Sequence, residues 1–254
     1  MSFAQKISLI KKHPPGKFPY QSACIENKQI TIYFENKLLE NKLLEKKLPV
    51  IICPSNYEDC NEILNECNKI QCSNFVFVSI SNINWNDDLS PWYMKKIYSK
   101  DSDYLGKADE FSYLITNKIM PQIEKTLLEK YKITPEYYSI IGYSLAGLFA
   151  LYCGFKTDKF KKIASVSGSM WFEDFEIFVQ ENDINSNVKK IYFSLGNREK
   201  QTNNPILKNV EEKTIAIEKI IESKGVETTF EMNNGNHFAQ PEERISKAIK
   251  WLQK

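Results

Sequence analysis

The sequence predicts an α/β fold, a mostly parallel central sheet with helices on both faces. Three observations predict it. Short, continuous apolar runs at Leu48 to Cys53, Phe75 to Ile80 and Tyr137 to Ile141 have the length and composition of strands buried on both faces. Helix-length segments with apolar residues at helical spacing alternate with these runs, as they do where crossovers join parallel strands. Several runs end in polar or glycine-containing turns, such as Pro54-Ser55-Asn56-Tyr57 and Gly196-Asn197-Arg198-Glu199. The C-terminal ends of strands are where open α/β sheets place ligands.

The elements follow in order. Residues 1–20 are polar and broken by Pro14-Pro15-Gly16, so they read as a partly mobile N-terminal arm with His13 on its surface. Gln29 to Phe34 reads as a strand. The pentamer Asn36-Lys37-Leu38-Leu39-Glu40 repeats at 41–45, too short for a repeat fold, and reads as an expanded connection or short helix. A helix is expected from about Glu58 to Ile70. Ser81 to Asp103 reads as a long aromatic and polar loop. Ala108 to Tyr131 reads as one helix that Pro121 bends or divides. Further strands are expected at Lys162 to Ser167, Val188 to Leu195 and Val226 to Met232. Helices are expected around Glu173 to Gln180, from Lys208 to Lys224 with Gly225 as its stop, and from Pro241 to about Leu252. With no Pro/Gly/Ser-rich linker, residues 1–254 read as a single domain.

Bulk properties narrow the function. A formal net charge of +2 over 254 residues gives no case for a nucleic-acid partner. A mean hydropathy of -0.42 and no bilayer-length apolar run give none for a membrane. With no export signal and six cysteines in no zinc-like spacing, the chain reads as a cytoplasmic protein with reduced thiols, and no metal or cofactor is expected. The oligomeric state is not legible.

The richest stretch is Ile140-Ile141-Gly142-Tyr143-Ser144-Leu145-Ala146-Gly147-Leu148. A buried strand runs into Gly142, and from Leu145 the apolar residues Leu145, Leu148, Phe149 and Tyr152 take helical spacing. Strand, sharp turn and helix with Ser144 at the apex form a nucleophile elbow. Close packing of helix on strand requires small residues around the serine; Gly142 and Ala146 supply them. The first helical amide, that of Leu145, is an oxyanion donor by position. A serine nucleophile needs a base, and the chain has two histidines. His237 follows the last strand in a Gly/Asn loop and lies after Ser144 in chain order, so it is the expected base. The acid belongs on a loop between them. Glu199, three residues past Gly196, fits best, with Asp174 and Glu173 as rivals. The second oxyanion donor belongs to Pro54-Ser55-Asn56-Tyr57; Pro54 has no N–H, and Asn56 is favoured over Ser55 and Tyr57.

From about Leu48 to the C-terminus the chain resembles the esterase D/enterochelin esterase group of α/β-hydrolases. The resemblance rests on Trp85 with Asp87-Asp88-Leu89-Ser90-Pro91-Trp92, on Gly106, on the elbow, on Ser167-Gly168-Ser169-Met170-Trp171, on Tyr192 to Gly196 with Glu199, and on Gly235-Asn236-His237. It implies an α/β-hydrolase fold without a large lid domain, and hydrolysis of small-molecule carboxylic esters through an acyl-Ser144 intermediate. It also points to Glu199 as the acid. Within the group, trilactone esterases cut backbone esters of catecholate siderophores. By that resemblance Trp85, Trp92, Tyr93, Tyr143, Met170 and Trp171 are substrate-binding residues, and Lys95 and Lys96 meet anionic catecholates. The presence of only two arginines, Arg198 and Arg244, counts against a tight polyanion pocket. Two other functions fit the same residues: acyl transfer on the same triad, and a catalytically silent hydrolase fold used for binding.

Overall fold

A computed structural model describes residues 18–34, 45–56 and 59–254. His13, Tyr57 and all of the pentamer pair except Glu45 lie outside the described residues. The strands are β1 (Tyr20–Ile25), β2 (Lys28–Tyr33), β3 (Lys46–Pro54), β4 (Val76–Ser81), β5 (Tyr93–Met94), β6 (Tyr104–Leu105), β7 (Ile133–Tyr143), β8 (Phe160–Val166), β9 (Lys190–Gly196) and β10 (Glu227–Asn233). Eight of them form one sheet in the order β1-β2-β4-β3-β7-β8-β9-β10. From β4 to β10 every neighbouring pair is parallel. The edge β1–β2 is antiparallel to itself and to β4.

The sheet is buried on both faces, and the apolar runs are divided between them. Val50 and Ile52 of β3 pack into one core with Phe149 and Ile163, while Ile51 and Cys53 pack into the other. The second core is capped by α1 (Asn61–Lys69) and by the helix Pro241–Leu252, which brings Ile245, Ala248, Ile249 and Leu252 to the sheet. Each such side chain contributes about 1.5–3 kcal/mol by leaving water. Truncating Ile52, fully buried between these layers, is expected to cost about 2–5 kcal/mol.

Strand order reverses between β3 and β7, so a crevice opens beside their C-terminal ends. β7 feeds directly into α5 (Leu145–Lys156), and Ser144 is the junction. The long helical run divides into α3 (Ala108–Leu114), a π-type turn (Ile115–Ile119), α4 (Met120–Thr126) and a second π-type turn (Leu127–Tyr131). Pro121 sits in the first turn of α4 directly after the first widened turn. Such a turn relieves the clash of the ring with a preceding carbonyl.

Three expectations differ from the structure. β1 was not legible: its apolar residues Tyr20, Ala23, Cys24 and Ile25 do not alternate, and it pairs through the two-residue turn Glu26–Asn27, where both φ angles are positive (44 and 65). The stretch Ser81 to Asp103 is more than a loop, because it contains the short helix α2 (Trp85–Asp88) and β5, which pairs with β6. The helix expected from Glu173 starts later, at Phe175 (α6, Phe175–Glu181), because Asp174 holds a left-handed φ of 60. The remaining helices are α7 (Val210–Ser223) and α8 (Pro241–Leu252). No helix among the described residues is long and apolar enough to cross a membrane.

Candidate active site

Ser144 has φ 59 and ψ -124, a conformation L-residues avoid, at a cost of about 1–3 kcal/mol. The surroundings hold it there. Its N–H donates to the Val166 carbonyl at 3.0 Å, and its own carbonyl accepts from Gly147 at 2.9 Å and from Ser169 at 3.1 Å. Gly142 is required because a Cβ there would lie 2.0 Å from the Ala146 carbonyl oxygen. Ala146 is fully buried where the usual motif has glycine, and the helix packs on the strand with it in place.

The strained turn presents Ser144 Oγ to His237 Nε2 at 3.0 Å, and His237 Nδ1 meets Glu199 Oε2 at 2.8 Å. The loops after β7, β9 and β10 therefore converge, although 93 residues separate the serine from the histidine. Asp174 makes no such contact: it is exposed and opens α6. Glu199 is nearly enclosed. Its Oε1 accepts from the Gly196 amide at 2.5 Å, from Ser167 Oγ at 2.8 Å and from Arg244 Nη1 at 2.9 Å. Burial alone would raise its carboxyl. The His237 hydrogen bond and charge, the Gly196 amide and the Ser167 hydroxyl outweigh burial and hold the group below the usual carboxylate range.

Arg244 went unread in the sequence. It is 1% exposed on α8 and ties three parts of the site together. Nη1 donates to Glu199, to Ser167 Oγ at 2.9 Å and to the Tyr143 hydroxyl at 3.3 Å. Nη2 donates to the Asn234 carbonyl at 3.1 Å and the Asn236 carbonyl at 2.9 Å, which fixes the loop carrying His237. The Tyr143 hydroxyl closes the circuit by donating to the His237 carbonyl. A signal for Arg244 exists. It lies on the apolar stripe of α8, in helical register with Ala248 and Leu252, where a charge needs a buried partner.

Two clefts meet at Ser144. The larger, of about 550 Å³, is lined by Ser144, Leu145 and His237 and walled by Trp85, Ile97, Tyr104, Trp171 and Phe238. The smaller, of about 250 Å³, holds Asn56, Tyr143 and Ile245, and shares Ser144 and Trp85 with the first. Leu145 begins α5, so its amide has no acceptor within the helix.

The aromatic expectations divide. Trp85 and Trp171 line the larger cleft. Tyr143 lines the smaller cleft, with its hydroxyl engaged as described. Trp92, Tyr93 and Met170 are corrected, since none lines either cleft. Trp92 packs among Tyr152, Phe172, Phe175 and Phe178 and donates its ring N–H to the Glu173 carbonyl. Met170 is fully buried in the core. Tyr93 is exposed on β5, bonded to Asp103. Lys95 and Lys96 line neither cleft; Lys96 Nζ donates to the Ser99 carbonyl.

Comparisons with known proteins agree with this architecture. The uncharacterized protein YbbA of Bacillus subtilis (strain 168) is 27% identical over 153 residues, which is 59% of this chain and 60% of the relative's length. An IroE-like serine hydrolase from Shewanella oneidensis superposes with a TM-score of 0.74 at 16% identity, over 91% of this chain and 79% of that one. The siderophore hydrolase EstA from Aspergillus nidulans gives the same score and identity over 97% and 98%. At that identity the two structures establish the fold. The sequence model of the family described as "Putative esterase" matches residues 41–241, and the chain belongs to that family and has the α/β-hydrolase fold.

Proposed function

We propose that the protein is a serine esterase that hydrolyses carboxylic esters through an acyl-Ser144 intermediate. The observation that carries this reading is the continuous chain from Ser144 Oγ to His237 Nε2 at 3.0 Å and from His237 Nδ1 to Glu199 at 2.8 Å. His237 takes the hydroxyl proton as Ser144 attacks the ester carbon. The amides of Leu145 and Asn56 receive the developing oxyanion from two sides of the serine. His237 then protonates the leaving alcohol, and water repeats the sequence to release the acid. Glu199 stays ionised, accepts the His237 ring proton in a hydrogen bond and stabilises the imidazolium. Membership of the esterase family supports a small-molecule ester as substrate. The likeness to a siderophore hydrolase of Aspergillus nidulans supports siderophore-type lactones among such esters.

The test is mass spectrometry of the protein quenched during turnover of para-nitrophenyl acetate. An acetyl adduct on the Ser144 peptide, absent in Ser144→Ala, is expected. Product formation without any adduct on that peptide would contradict the acyl-serine route. Adding a competing alcohol separates hydrolysis from acyl transfer, because transfer diverts product to the new ester.

A further inference from the structure

The larger cleft has a charge character that its fold does not require. The chain carries 34 Lys and Arg residues against 32 Asp and Glu, yet among the described residues no lysine or arginine lines this cleft. Two carboxylates do. Glu199 is ion-paired with Arg244 at 2.9 Å and hydrogen-bonded to His237. Asp101 is different. It is exposed at the cleft, and none of the ion pairs among the described residues includes it. Its charge is felt inside: burial first, and Asp101 second, push the Tyr104 phenol up to about 12. Lys100, its neighbour in sequence, is exposed, does not line the cleft and forms none of those ion pairs; the next cations do not offset it at the cleft either. Lys96 bonds to Ser99, and Lys95 and Lys96 act on Asp103. The other walls combine apolar and aromatic side chains with uncharged polar ones, Asn84, Asn86, Ser102, Ser167 and Ser169, and Phe238 stays 83% exposed while its ring lies edge-on to His237 at 5.2 Å.

We infer that the cleft selects uncharged or cationic esters with an aromatic or branched apolar body and rejects anionic ones, with Asp101 as the specificity-determining carboxylate. The inference rests on the serine-esterase reading for its chemistry. An anionic substrate entering here loses hydration, gains no counter-charge from the walls and meets a carboxylate of its own sign. A cationic or neutral body keeps the aromatic contacts without that penalty, and a cation also gains from the ring faces. Within siderophore-type lactones, this removes the polyanionic catecholates and leaves those that present no negative charge to the cleft.

The experiment uses three acetate esters of near-equal shape: para-tert-butylphenyl acetate, its cationic isostere para-acetoxyphenyl-trimethylammonium, and the anionic para-acetoxybenzoate. Each kcat/KM is divided by the ester's own alkaline hydrolysis rate, which removes leaving-group reactivity. The expected order is cationic, neutral, anionic. The cation-to-anion ratio is expected to be about tenfold at low salt and to shrink as salt is added, the size of one charge acting across a partly wet cleft. Asp101→Asn is expected to bring the ratio within about threefold and Asp101→Lys to invert it. A wild type that prefers the anionic ester, or an order unchanged in Asp101→Asn, overturns the inference. The same esters titrated against Ser144→Ala, read by quenching of tryptophan emission, give the charge order without turnover. Charge order in binding with no turnover by the wild type upholds the cleft assignment and sinks the esterase reading. Turnover with no charge order does the reverse.

Discussion

Two walls face each other across Ser144. One carries Glu199, Arg244 and His237; the other carries Trp85, Tyr98 and Asp101. On the first, polar groups are tied repeatedly. Glu199 is bonded to His237, Gly196, Ser167 and Arg244, and Arg244 reaches Tyr143 and two loop carbonyls besides. On the second wall, Tyr98 and Asp101 lie on exposed chain between short β5 and β6. Under the proposed function the difference separates two tasks. Proton transfer needs groups held within tenths of an ångström, and redundancy of bonds supplies that. Substrate choice needs only a shape and a charge, which a loop supplies and which change without disturbing the first wall.

The largest expected effect falls on the tied wall. Ser144→Ala is expected to lower kcat at least about ten-thousandfold while leaving the thermal midpoint nearly unchanged. Glu199→Gln is expected to cost about a thousandfold and Asp174→Asn less than about twofold in kcat/KM. The opposite ranking would move the acid to the loop before α6. Arg244→Met removes one partner of a buried pair. It is expected to cost about 3–5 kcal/mol in denaturant unfolding. In the folded fraction it should cost about a hundredfold in kcat through misplacement of His237. Arg244→Lys should fall between, because an ammonium cannot bridge Glu199 and the two carbonyls.

The facing wall is expected to respond in KM instead. Trp171→Ala should raise KM about tenfold with little change in midpoint, since its ring lies at the cleft. Trp92→Ala should do the opposite, losing about 2–3 kcal/mol of stability with KM unchanged in the folded fraction, since its half-buried ring packs against the core and away from the clefts. A KM effect at Trp92 would blur the boundary between cleft and core.

The smallest effect is a pH dependence. Because Glu199 is held below its ordinary 4.5, its contribution to stability is complete above that value and fades as pH falls through the lowered folded value. The stability gap between wild type and Glu199→Gln should be constant near neutrality and close in acid. A gap that persists unchanged to about pH 3 would mean the carboxylate is not stabilised in the fold.

The tied wall was the more legible in sequence, for a physical reason. Ser144 and Glu199 each follow a strongly apolar strand, His237 follows the more polar last strand, and glycine lies within three residues before each of them. Parallel strands in a twisted sheet deliver such ends to one edge. Arg244 was hidden because its partners are 45 residues or more away in chain for Glu199, Ser167 and Tyr143, so helix periodicity alone marked it. The facing wall was harder. An aromatic loop reads the same whether a ring faces a cleft or a core, and tertiary packing decided that Trp85 and Trp171 line the cleft while Met170 fills the interior and Trp92 packs against it. β1 was lost because a half-buried edge strand carries little apolar pattern.

The central claim is that the His237–Glu199 pair makes Ser144 a nucleophile. Labelling with a fluorophosphonate probe tests it most directly, on wild type, Ser144→Ala and His237→Ala. The account predicts rapid, stoichiometric labelling of the wild type at Ser144 and none of either variant. A correctly folded wild type that refuses the probe, or a His237→Ala protein that labels as fast as wild type, would contradict it.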